Sequence, residues 1–114
     1  PEGQIDLSRN LQIATAAIDS TGMCLFIAFA VLDQPETFQA LIDLLNTFYG
    51  LTLGAEEVTE LGKKVLKLEK EFNEQAGLGK EQDRLPDYFK TQALPPHHVT
   101  FDVPDEELDQ VINW

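Results

Sequence analysis

The sequence predicts an all-α protein, and three observations carry the prediction. Apolar residues recur at helical spacing in several separate stretches. Glycine and proline stand where those stretches would end and begin. No stretch shows the sustained apolar–polar alternation of a strand. The 114 residues are expected to form one domain, residues 1–114. A chain of that size buries roughly two thirds of its unfolded surface. The composition, 43% hydrophobic and 25% charged, is neither that of a disordered chain nor that of a membrane-spanning one.

The elements follow in order. Leu7, Leu11, Ala14 and Ile18 share one helical face, and the interval from Asp19 to Gly22 interrupts it. Gly22 to Leu32 is apolar on all sides, which predicts a helix buried all round. Pro35 suits a first helical turn and Gly50 a helix stop. Between them Phe38, Leu41, Ile42, Leu45 and Phe48 form an apolar face. Glu56 and Glu57 place negative charge in the first turn of the next helix, where the helix dipole favours it. Val58, Leu61, Val65, Leu68 and Phe72 form its stripe, and Ala76 to Gly79 ends it. From Gly79 to Thr100 the chain reads as an irregular, proline-containing arm, with Pro86, Pro95 and Pro96 forbidding regular helix. Pro104, followed by Asp105, Glu106 and Glu107, opens a last helix of about three turns.

Charge and cysteine count narrow the function classes. Twenty acidic residues against eight basic ones give a net charge of −12. This argues against nucleic acid, where phosphate contacts need Lys and Arg, and against anionic membrane surfaces. The longest apolar run, Met23 to Leu32, is too short to span a bilayer. A single cysteine forms no internal disulfide and fits a reducing, cytoplasmic setting. The sequence opens Pro1-Glu2-Gly3 without Met and is expected to be a segment truncated at both ends.

The residues that could carry chemistry are concentrated in Asp19-Ser20-Thr21-Gly22-Met23-Cys24. Cys24 admits three readings: a core thiol packed as a small hydrophobe, a nucleophile, or one ligand of a metal or cluster. A nucleophile wants a nearby base, but the histidines, His97 and His98, lie far away in the arm. A complete zinc site wants three or four ligands, which one cysteine does not provide. Asp19 is either a helix N-cap or a polar contact for a ligand. Gly22 either permits a tight turn or lets backbone approach a flat ligand closely. The His97-His98 pair reads as an exposed loop, because adjacent side chains do not converge on one ion. No catalytic residue is assigned.

The same six residues resemble the Asp-x-x-Gly-Leu-Cys pattern of the tungsten-containing aldehyde:ferredoxin oxidoreductase family. Further motifs keep the family's order. Leu68-Glu69-Lys70-Glu71-Phe72-Asn73 resembles Leu-Glu-Arg-x-Phe-Asn, and Gly77 with Asp83-Arg84-Leu85-Pro86 resembles Gly…Asp-x-Leu-Pro, with Tyr88-Phe89 following. The resemblance runs from about Ile18 to Leu94, two thirds of the chain. It implies a multihelical C-terminal domain of an enzyme that oxidises an aldehyde to a carboxylic acid and passes electrons to ferredoxin. The implied cofactors are a tungsten bis-pterin (molybdopterin) centre and a 4Fe-4S cluster.

By position Cys24 matches the fourth cluster ligand. The other three belong to a Cys-x-x-Cys-x-x-x-Cys motif in upstream domains of the parent. Asp19 matches a carboxylate that hydrogen-bonds a pterin, and Gly22 and Met23 match backbone positions along it. Met23 stands where Leu is usual and Lys70 where Arg is usual, and the family's end is matched only by Val111-Ile112-Asn113-Trp114. The resemblance makes this segment inactive alone. It also implies an exposed apolar patch around the turn, covered in the parent or by a homodimer contact. The competing reading is an acidic helical protein-interaction module with Cys24 in its core.

Overall fold

The computed structural model describes residues 2–113, so Pro1 and Trp114, the last residue of the C-terminal match, lie outside the described residues. Six α-helices follow one another: α1 (Gln4–Ser20), α2 (Ala28–Asp33), α3 (Pro35–Tyr49), α4 (Ala55–Gln75), α5 (Tyr88–Thr91) and α6 (Asp105–Leu108). A 3-10 turn, Leu25–Ile27, precedes α2. The only β pairing among the described residues is an isolated antiparallel bridge between Leu94 and Val99, so the all-α expectation holds. The chain divides into two compact units, residues 10–69 and residues 2–9 with 70–113.

The boundaries of α3 and α4 follow from local chemistry. Pro35 occupies the first turn of α3, where its missing N–H costs no hydrogen bond. Gly50 closes the helix at φ 65°, a left-handed conformation that glycine adopts without a Cβ clash. The Asn46 side chain then fastens the following loop. Its Nδ2 donates to the Leu53 carbonyl at 2.9 Å, and its Oδ1 accepts from the Leu53 N–H at 2.7 Å. At the start of α4 the Glu57 carboxylate reaches back to accept the Gly54 N–H at 2.9 Å, one half of a capping box. Gly77, at φ 86°, ends α4, and the Leu78 N–H closes onto the Asn73 carbonyl at 2.9 Å.

Residues 10–69 hold the core. Ile18, Val31, Leu41 and Leu45 form one buried cluster, and Ala17, Ile42 and Val58 form another. Phe38 and Leu53 pack against both. Each fully buried aliphatic side chain of this kind contributes roughly 1.5–3 kcal/mol. No polar or charged side chain is buried among the described residues. At Gly62 α4 comes close to α1. A Cβ there would run into the Ile13 carbonyl oxygen and lie 3.1 Å from its carbon and 3.2 Å from the Ala17 Cβ. Only a residue without a side chain lets α4 approach α1 so closely.

Three expectations need correction. The stretch from Gly22 to Leu32 is not a helix buried all round: it is a turn, a 3-10 segment and the first five residues of α2, with Phe26 82% and Phe29 72% exposed. Only Val31 of α2 is fully buried, because the helix lies on the core by one face. The buried face of α4 is Val58, Gly62 and Leu66, while Leu68 and Phe72 are exposed. Gly62 moves the contact around the helix, toward the side where α1 can come nearest. The last helix is also shorter than expected: α6 has four residues, with Asp105, Glu106 and Glu107 in its first turn.

Replacing Gly62 by Ala is expected to destabilise the fold by about 1–3 kcal/mol, the usual consequence of overfilling a tight contact. Chemical denaturation monitored by circular dichroism measures this. An unchanged midpoint would mean that α1 and α4 separate at no cost.

Candidate functional site

The turn from Asp19 to Cys24 is built by the end of α1. The Ile18 carbonyl accepts the Thr21 N–H at 3.0 Å, and the Asp19 carbonyl accepts the Gly22 N–H at 3.1 Å. Thr21 reinforces the reversal: its hydroxyl donates to the Ile18 carbonyl at 2.6 Å and accepts the Met23 N–H at 3.3 Å. The Ser20 hydroxyl donates back to the Ala16 carbonyl at 2.7 Å. Gly22 sits at φ 78°, as a residue just past a helix end often does. A Cβ on it would meet nothing within 4 Å, so the space beside its backbone is open.

The residues of the turn divide by direction. Met23 is half-buried and packs against the cluster of Ile18, Val31, Leu41 and Leu45. Asp19, Gly22 and Cys24 are exposed. Met23 therefore anchors the turn to the core, and its neighbours are displayed. The expectation that Asp19 caps a helix N-terminus fails, since it lies in the last turn of α1, at the negative end of the dipole. No basic residue accompanies it in that turn, and no hydrogen bond or ion pair engages its carboxylate among the described residues.

Cys24 is not a core residue, contrary to the interaction-module reading. It is an exposed thiol on extended backbone at φ −68° and ψ 134°, directly before the 3-10 turn. Its carbonyl accepts the Ile27 N–H at 3.0 Å. The N–H groups of Cys24, Leu25 and Phe26 have no hydrogen-bond partner among the described residues. Leu25, Phe26, Phe29 and Leu32 surround this stretch in sequence and are all at least half exposed. These exposed apolar side chains are in keeping with the expected apolar surface near the turn.

Beside the turn lies an apolar groove of about 580 Å³ within residues 10–69. Ile13, Ala17, Ile18, Val31, Leu32 and Phe38 are among its walls. Sequence reasoning missed both Thr21, which locks the turn, and the inward role of Met23. A threonine followed two residues later by the N–H it accepts is an ordinary turn pattern and could have been read. The His97-His98 pair is exposed, as expected, within the loop closed by the Leu94–Val99 bridge. Among the described residues no three His, Cys, Asp or Glu side chains gather where they could hold a metal ion. Among the described residues no helix is long and apolar enough to cross a membrane.

Comparison with known proteins finds relatives of the chain. The family model described as aldehyde ferredoxin oxidoreductase, domains 2 and 3, matches residues 1–113. The chain is 34% identical over 85 residues to a protein of Pyrococcus furiosus named tungsten-containing aldehyde ferredoxin oxidoreductase. It is 31% identical over 85 residues to proteins of the same name from Pyrococcus horikoshii and Thermococcus kodakarensis. Each match covers 74% of this chain and 13% of the relative, so the chain spans only a small part of the length of these curated relatives. No solved structure matches it significantly.

The division of the turn into an anchor and a displayed face is directly testable. Met23→Ala is expected to cost about 1–2 kcal/mol through lost core packing. Cys24→Ser should stay within about 0.5 kcal/mol of the parent sequence, as exposed substitutions do. In the folded chain Cys24 should react with a thiol reagent about as readily as in the unfolded one. Protection of the thiol until unfolding would place it in the core after all.

Proposed function

Because the chain belongs to the aldehyde ferredoxin oxidoreductase family, we propose that it forms the C-terminal helical domain of an enzyme that oxidises an aldehyde to a carboxylic acid with ferredoxin as electron acceptor. In this reading Cys24 supplies one thiolate to a 4Fe-4S cluster. Asp19, Gly22 and Met23 lie against one pterin of a tungsten bis-pterin centre. The observation that carries the reading is the display of Asp19 and Cys24 on one rigid turn, both exposed and without side-chain partners, in a chain whose described residues bury no polar side chain.

The donor set fits a partial site and not a whole one. One thiol cannot complete a four-thiolate cluster, and no group of three or more His, Cys, Asp or Glu side chains gathers among the described residues to hold a metal. Three more thiolates come from elsewhere in the longer polypeptide. When bound, the tungsten centre and the cluster supply the oxidation and the onward passage of electrons. The residues of this chain hold and tune them. A thiolate needs hydrogen-bond donors, and the unpartnered N–H groups of Cys24, Leu25 and Phe26 are donors beside that sulfur. An ionised Asp19 accepts two hydrogen bonds from the N–H edge of a flat heterocycle. Gly22, with open space where a Cβ would stand, lets that ring lie against the backbone.

The apolar side chains beside the turn serve the same site. Leu25, Phe26, Phe29 and Leu32 are too exposed for a finished surface, and they exclude water once covered. The upstream domains of the parent are the natural cover, with a homodimer contact as the other candidate. The enzyme is expected to work in the cytoplasm, where a lone thiol stays reduced.

Two measurements test this reading. In the longer polypeptide Cys24→Ser should abolish the cluster's electron paramagnetic resonance signal, and an intact signal would remove Cys24 from the ligand set. The 114-residue chain alone should hold neither iron nor tungsten in stoichiometric amount and should not oxidise aldehydes. Full loading with turnover would show that the partial-site reading is wrong.

A further inference from the structure

Half of the chain's eight basic residues converge on its last dozen described residues. Arg84 donates from Nη2 to Asp109 Oδ1 at 2.7 Å, and its Nε lies 3.6 Å from Asp105 Oδ2. Lys80 Nζ is 3.3 Å from Asp109 Oδ2, and Lys90 Nζ donates to Asp105 Oδ1 at 2.6 Å. Arg9 donates from Nη2 to the Gln110 carbonyl at 2.6 Å and from Nε to the Val111 carbonyl at 3.0 Å. All of these residues lie in the unit formed by residues 2–9 and 70–113.

Apolar burial in this stretch is mostly partial, with Leu108, Val111 and Ile112 half-buried. Val103 is the fully buried apolar residue of the segment 101–113. A four-residue helix is far below the length at which helix stabilises itself in water. The stretch also carries Asp102, Asp105, Glu106, Glu107 and Asp109, and in a chain of net charge −12 the remaining charge repels it. The cations therefore offset that repulsion and add directly to docking. Arg84 and Asp109 are about a quarter exposed, and Lys80 is 70% exposed, so salt reaches the network. The Debye length falls from about 10 Å at 0.1 M to about 3 Å at 1 M, within the range that screens such pairs.

We infer that residues 104–113 form a charge-held strap, docked by Arg9, Lys80, Arg84 and Lys90 at low ionic strength and released at high ionic strength while the helical core of residues 10–69 stays folded. Asp105 and Asp109, four residues apart, present their carboxylates to the same set of cations. Release frees Lys80, Arg84 and Lys90 together, giving an otherwise acidic protein a cationic surface that the docked strap conceals.

Acid acts in the same direction. The Arg84 hydrogen bond holds the Asp109 carboxyl below its ordinary range, with Lys80 adding to it and burial opposing. A carboxyl lowered in this way stabilises docking above its free-chain titration and stops doing so as pH falls through its docked value. The groups facing it are Arg84 and Lys80, with Asp83 and Asp105 beside Arg84.

Hydrogen exchange on the whole chain at about 0.05 M and about 0.5 M NaCl tests the strap. The Leu108, Asp109 and Val111 amides, bonded to the Pro104, Asp105 and Leu108 carbonyls, should lose protection at least about threefold in high salt. The Ile42 and Leu45 amides of α3 should not change. Arg84→Met should give the same loss already at low salt, and the charge-swapped pair Arg84→Asp with Asp109→Arg should recover part of the protection. Protection that is indifferent to both salt and Arg84→Met would overturn the proposal. So would an equal loss on α3, because the whole fold would then be responding.

Discussion

The approach of α4 to α1 at Gly62 is the tightest constraint that any described glycine places on the helical core. With no side chain at that position, the two backbones come together against Ile13 and Ala17. Ala17, Ile42 and Val58 can then close into one buried cluster. Phe38 and Leu53 join that cluster to the second, of Ile18, Val31, Leu41 and Leu45, which receives Met23. A methyl group at Gly62 would wedge α1 outward, and α1 is the helix whose end builds the Asp19–Cys24 turn. The placement of an exposed thiol thus traces back, through Met23 and Ile18, to a glycine almost forty residues further along the chain.

Helix ends were legible in the sequence, whereas helix faces were legible only in part. Pro35, Gly50, Glu56, Glu57 and Gly77 act through local backbone geometry and local electrostatics, which neighbours in sequence decide. They stand where the spacing placed them. The face of α4 depends on a partner. Hydropathy treats Gly62 as a gap in the stripe, yet a gap is what lets another helix in. The apolar stretch after Gly22 misled for a related reason. Its composition states that Phe26 and Phe29 avoid water but not whether their cover belongs to these 114 residues. The shortness of α6 was unreadable because the charges that hold it come from Arg9, Lys80, Arg84 and Lys90, far apart in sequence.

The candidate site shows the same limit from another side. Its residues were named from a pattern, and each taken alone had a plainer explanation. The Asp-Ser-Thr sequence suits a helix start, and here it ends one: Ser20 and Thr21 bond backward to the Ala16 and Ile18 carbonyls. Cys24 follows a polar turn and opens an apolar run, the usual position of a core thiol, yet it is exposed. What reversed both readings is the direction of Met23. In a turn this tight, the side chain that enters the core fixes which neighbours cannot.

Asp19 shows most clearly why local stability does not account for this turn. A carboxylate in the last turn of a helix faces the negative end of the dipole, an unfavourable placement by a few tenths of a kcal/mol to about 1 kcal/mol. Nothing in its own turn compensates, since no basic residue is present there. A lysine or asparagine would serve the helix end better, and Gly22 already provides the left-handed residue that terminates it. Departures from local preference of this kind gather where a group is needed for something other than folding. Here the departure lies five residues from the chain's only thiol, on backbone whose next three N–H donors after Met23 are unpartnered among the described residues. An unpaired carboxylate, an exposed thiol and unpartnered N–H groups are each mildly costly to the isolated fold. Their gathering between Asp19 and Phe26 is what the proposed cofactor role accounts for and local stability does not.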